Sequence, residues 1–240
     1  MSTVLVAVVV ILFAAALVQA VSGFGFALVA VPLLTVALGP QHAVVCASSV
    51  SLAMTLGTAV AARALIDRSI ARRLAGWLLL GMPFGVVLLR MLPARSLAVI
   101  IAVVVLLCTA LVWRRWAISA QGWKAALVGL VAGVLATATG TNGPPLVAAV
   151  HSMGVTPRVF RATMAALLAF AGAFGLALWV ASGVVTASDW GVMALGTPIA
   201  FVGAWLGRRL VDRVDPLRFR RIVLAALVVS SAVALVHAAL

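Results

Sequence analysis

Hydrophobic residues run through this chain in long unbroken blocks, and charged residues fall in the gaps between them. Residues 1–62 contain no Asp, Glu, Lys or Arg, and further uncharged runs cover 74–89, 96–113, 125–157, 162–188, 190–207 and 222–240. Each approaches or exceeds the roughly 17–25 apolar residues that a helix needs to cross the hydrocarbon of a bilayer. The runs lack the alternation of a barrel strand, so they predict helices. Composition agrees: 66% of the 240 residues are hydrophobic and 9% are charged, against about 45–50% and about 25% in soluble domains. The expected class is an all-α integral membrane protein. The start, Met-Ser-Thr-Val-Leu, lacks the basic region of a signal peptide and is read as part of the first helix.

The pattern also repeats. Gly23 and Gly140 stand 117 residues apart, as do Pro40 and Pro157. Leu80-Gly81-Met82-Pro83 matches Leu195-Gly196-Thr197-Pro198 at an offset of 115, and Pro93-Ala94-Arg95 resembles Pro216-Leu217-Arg218. Three matches in the same order predict one membrane domain, 1–240, built from repeats 1–118 and 119–240.

Each repeat opens with a long uncharged stretch, 4–38 and 125–156, carrying a Gly-rich interruption. The first is Ser22-Gly23-Phe24-Gly25-Phe26, with Val31-Pro32 beyond it. The second is Thr139-Gly140-Thr141-Asn142-Gly143-Pro144-Pro145. Glycine frees the backbone and proline removes an amide donor, so each stretch is expected to be two helical arms around a break. Pro144 and Pro145 suit the first turn of a new helix, with Asn142 or Gly143 as its cap. Three crossings should follow each hairpin, at about 41–62, 74–90 and 96–113, then 159–182, 190–207 and 219–238.

Charge orients these crossings. The net charge of +13 comes from 17 basic residues against Asp67, Asp189, Asp212 and Asp215. In a soluble chain it would suggest nucleic acid; here the basic residues sit in short loops, as on the cytoplasmic side of membrane proteins, and no nucleic-acid partner is expected. Placing the loops around 63–73, 114–124 and 208–221 inside, and 183–189 outside, also puts Arg158 and Arg161 inside, which leaves 15 basic residues inside and only Arg90 and Arg95 outside. Both termini then lie outside, and the two repeats are inverted.

Inverted repeats with broken helices place binding sites near the midplane, where exposed helix starts favour anions. The candidates are Ser22, Gly23, Gly25 and Phe26 from the first break and Thr139, Gly140, Thr141, Asn142 and Gly143 from the second. Close helix packing by small residues is the plainer explanation for either motif alone; two copies at equivalent positions weaken it. Arg161, with Arg158 one turn earlier, either snorkels to the interface or forms a basic vestibule. His42 and His151 flank the breaks, as hydrogen-bond partners or proton carriers. Ser48, Ser49, Ser51 and Thr55 share one crossing, where most are expected to bond backward along their own helix; Ser48 and Ser49 are the better site candidates.

The predicted crossings contain no Asp or Glu, which argues against a carboxylate proton relay or a cation cage. Backbone dipoles and hydroxyls would instead make a weakly positive cradle. Cys46 and Cys108 lie inside apolar runs and suggest neither a disulfide nor a metal cluster. No cofactor or metal is expected. The chain has no His-Glu-x-x-His, phosphate-binding loop or Cys-x-x-Cys, and an enzyme is not expected.

At these residues the chain resembles the TauE/SafE family of sulfite and sulfonate exporters. The first motif is Gly23-Phe24-Gly25-Phe26-Ala27-Leu28-Val29-Ala30-Val31-Pro32, followed by Pro40-Gln41-His42-Ala43. The second is Gly140-Thr141-Asn142-Gly143-Pro144-Pro145, followed by Pro157-Arg158-Val159-Phe160-Arg161-Ala162-Thr163. The first departs from the family's usual glycine core, with Phe26 and Ala27 where glycines are common. The resemblance implies a secondary transporter for a small anion, sulfite or an organosulfonate foremost, in a bacterial-type inner membrane. An uncoupled channel-like facilitator and a permease for carboxylates are the alternatives. The partners expected are the anion and the lipid bilayer, with a homo-oligomer left open.

Overall fold

A computed structural model describes residues 2–22, 25–113 and 122–210, and isolated positions 225, 229 and 232. Within them the first opening stretch forms α1 (Ser2–Ser22) and α2 (Phe26–Leu38), followed by α3 (Pro40–Ala61), α4 (Arg68–Met91) and α5 (Ala94–Trp113). The second forms α6 (Trp123–Ala138) and α7 (Gly143–His151), followed by α8 (Pro157–Ala181) and α9 (Ala187–Leu210). The crossing expected at 219–238 lies outside the described residues, as do the linker charges Arg114 and Arg115.

The sequence explains where these helices start and stop. Pro40 and Pro157 occupy the first turns of α3 and α8, where a missing amide costs nothing. Asp67 caps α4, accepting hydrogen bonds from the amides of Ser69 and Ile70 at 2.9 and 3.0 Å. Helices α3, α4, α5, α8 and α9 are long and apolar enough to cross a bilayer. The 13 residues of α2 and nine of α7 are not. At 1.5 Å per residue even α2 reaches only about 20 Å, against roughly 30 Å of hydrocarbon.

Two close helix pairs organise the packing, α1 against α9 and α4 against α6. Around the first, Val8, Leu12, Ala15 and Ala16 meet Ala200 and Ala204. Around the second, Leu74, Leu78 and Met82 meet Ala125, Val128, Ala132 and Ala136. Lipid tails are as apolar as leucine, so close backbone approach decides such pairings. A side chain at Gly85 or Gly133 would run into the backbone of the opposite helix, at Val134 and Leu78 respectively. A side chain at Gly203 would meet the Phe13 carbonyl at 2.8 Å.

Gly133→Leu should therefore lower the thermal stability of purified protein, since overpacking typically costs about 1–3 kcal/mol. Gly57→Ala, with nothing within 4 Å of the added carbon, should leave it unchanged. Equal melting of the two variants would show that the α4–α6 approach is loose.

Candidate functional site

The two helix interruptions meet. Between the starts of α2 and α7 lies a cavity of about 40 Å³. Gly25, Phe26, Ala27 and Leu28 line it from the first break, and Gly140, Thr141, Asn142 and Gly143 from the second. Ser48 and Ser51 reach it from α3, Gln19 from α1, and Leu168, Ala171, Gly172 and Trp179 from α8.

Both breaks hinge on glycine. Gly25 is left-handed at φ 102° and turns the chain into α2. Gly140, at φ 68°, turns it out of α6 between Thr139 and Thr141, whose amides both bond back to the Leu135 carbonyl. The cavity leaves Gly140 no room for a side chain: an added carbon would stand 2.8 Å from Ser48 Oγ.

Asn142 holds the cap position of α7, as expected, but its side chain makes no capping bond. The reason lies in the residues that follow. A capping side chain accepts from the second or third amide of the helix. Those positions are Pro144 and Pro145, which carry no amide hydrogen. Freed from capping, Asn142 is buried, and its Nδ2 has no hydrogen-bond partner. Neither does buried Ser48 Oγ. No side chain caps the start of α2 either, and the first amides of an α-helix have no partner within it.

These groups are donors, and none of the side chains lining the cavity carries a charge. A buried polar group left without a partner costs about 1–3 kcal/mol. Two helix starts add partial positive charge at the same place. An oxyanion can take hydrogen bonds from the whole set. Around it the hydrogen bonding is tight. The Thr139 and Thr141 hydroxyls are 2.6 Å apart, Thr139 bonds on to the Leu135 carbonyl, and Trp179 Nε1 donates to the Thr137 carbonyl at 3.2 Å.

Of the candidate residues, Gly25, Phe26, Ser48, Gly140, Thr141, Asn142 and Gly143 share this cavity. Thr139 lies behind Thr141, and Ser49 is buried nearby with an unpartnered hydroxyl. Gly23 and the side chain of Ser22 lie outside the described residues. Arg161 is exposed one turn into α8 and does not line the cavity. His42 also stands apart, bonded through Nδ1 to Asp189 Oδ1 at 2.8 Å. That carboxylate departs from expectation: α9 begins at Ala187, so Asp189 belongs to its first turn and is buried rather than lying in a loop.

Sequence reasoning missed Gln19, Gly172 and Trp179, and it expected Ser51 to bond backward along α3, whereas the hydroxyl turns to Gln19. Gln19 carried a usable signal, an amide side chain within a long apolar run. Its Oε1 accepts a hydrogen bond from Ser51 Oγ at 3.5 Å. Trp179 and Gly172 carried none, because neither residue type is unusual in a membrane helix.

The family model described as Sulfite exporter TauE/SafE matches residues 8–234. The chain belongs to this family. No curated protein and no solved structure matches it. TauE/SafE proteins are membrane transporters rather than enzymes, and the apolar helices of this member suit a multi-pass protein of the bilayer.

Proposed function

We propose that this TauE/SafE member is a permease for a small oxyanion, sulfite foremost, and that the anion binds between the starts of α2 and α7. The observation that carries this reading is the pair of buried, unpartnered donors, Asn142 Nδ2 and Ser48 Oγ, on two residues that line one cavity. The anion's oxygens would take hydrogen bonds from them and from the first amides of α2 and the amide of Gly143. Its remaining face would rest on Phe26, Leu168 and Trp179.

An inverted repeat is part of the same reading, and the packing supports it. Helix α1 of the first half pairs with α9 of the second, and α6 of the second with α4 of the first. Each opening arm thus takes the second crossing of the other half. The starts of α3 and α9 meet through His42 and Asp189, and the amide of Asp67, just before α4, donates to Thr163 Oγ1 near the start of α8 at 3.0 Å. Cysteines placed at Ser119 and Gly183 should label from opposite membrane faces. Labelling from one face would remove the inversion, and with it the midplane argument.

Counterflow of labelled sulfite into proteoliposomes is the functional test. Sulfite should compete best, sulfoacetate and sulfolactate less well, and carboxylates and taurine least. Uptake without counterflow would favour an uncoupled facilitator, and better competition by carboxylates would displace sulfite. Arg161→Gln should lower the association rate and its salt dependence more than the affinity, because an exposed charge steers rather than holds. A changed affinity at an unchanged association rate would place Arg161 in the site itself.

A further inference from the structure

Asp189 is anchored to the start of α9. Its Oδ2 accepts from the Thr186 amide at 2.8 Å and from Thr186 Oγ1 at 2.7 Å. Its Oδ1 reaches across to α3, where it meets His42 Nδ1 at 2.8 Å and Cys46 Sγ at 3.5 Å. The two partners differ sharply in access: the imidazole is 39% exposed and the carboxylate 3%. The imidazole, in the first turn of α3, is thus open at the protein surface while the acid stays buried.

The helices joined in this way both lead to the cavity. Ser48 lies six positions beyond His42 on α3, about 9 Å along the same rod. Helix α9 packs along α1, which carries Gln19 into the cavity. A change in how α3 seats on α9 thus moves one side of the site against another. Histidine is the side chain whose charge changes between about pH 5 and 8. With the proton, the contact is an ion pair; without it, only a hydrogen bond from a neutral imidazole remains and a buried carboxylate loses its counter-charge.

We propose that His42 and Asp189 form a proton-operated latch that clamps α3 to α9 and releases it when the imidazole is neutral. Its bearing on transport rests on the permease reading, but the clamp itself does not. Among the described residues, other charges near these helix ends are few. Cys46 belongs to α3. Arg90 follows Leu89, whose carbonyl accepts from Gln41 Nε2 at 2.7 Å, and Arg95 is in the first turn of α5; both arginines are exposed. Helices α1 and α2 contain no titratable residue, and the arginines of α8 lie at its opposite end.

Cys46 reports on the latch directly, being fully buried against Asp189. In the Cys108→Ala background it is the sole thiol, and its alkylation can be followed in lipid nanodiscs without any substrate. Each rate is divided by that of the same protein unfolded in detergent at the same pH, which removes the effect of pH on thiol reactivity. The corrected rate should be about tenfold higher near pH 8 than near pH 5.5. His42→Gln and Asp189→Asn should both label fast at either pH. Equal corrected rates in the otherwise native protein would overturn the latch, as would a pH dependence that survives His42→Gln. Because no anion is present, failure here leaves the permease reading standing, and failure of sulfite counterflow leaves the latch standing.

Discussion

Gly140→Ala is expected to reduce sulfite transport by about a hundredfold or more while the protein still purifies as a single species. Two costs combine. A left-handed backbone with a side chain costs about 1–2 kcal/mol, and crowding a packed site adds about 1–3 kcal/mol. The added carbon also falls 2.8 Å from Ser48 Oγ and 3.3 Å from Val31 Cγ2, so it pushes a proposed anion donor out of place. Gly39→Ala is the control. That glycine also has a positive φ, 83°, yet nothing lies within 4 Å of an added carbon. It should lose stability through strain but keep transport. Equal transport by the two variants would show that the second break is a bend and nothing more.

Asn142→Leu should weaken anion binding by roughly ten- to hundredfold, the equivalent of one hydrogen bond to a charged group at about 1.5–3 kcal/mol. Stability should not fall with it. The side chain makes no capping bond, its Nδ2 has no protein partner to lose, and leucine suits an apolar surrounding. Stability and binding are thus expected to move independently, which is unusual for a buried polar residue. Binding assays beside melting curves on the same preparation check this. Lost stability with retained affinity would mean that Asn142 serves the helix rather than the anion.

Much of this arrangement was legible in the chain because membrane solvation leaves few choices. A charge-free run must be helical, and Gly-Thr-Asn-Gly-Pro-Pro cannot continue a helix, so both breaks could be placed to within a few residues. Even the unused cap of Asn142 was written in the sequence, since two prolines remove the amides it would cap. Tertiary partnership was not legible. Nothing in the local pattern around Gln19 or Trp179 says which helix each will face, because apolar helices of similar composition pair by small steric differences. Asp189 was misplaced for another reason. A carboxylate next to a turn reads as solvated, and its burial depends on His42, which stands 147 positions earlier.

Equilibrium binding of radiolabelled sulfite to purified protein, wild type against the Ser48→Ala/Asn142→Leu double variant, tests the proposed site most directly. Wild type should bind one sulfite per chain, with competition from other small oxyanions and none from cations of similar size. The double variant should show no saturable binding while remaining monodisperse. Saturable binding by the double variant at wild-type affinity would contradict a site between the starts of α2 and α7.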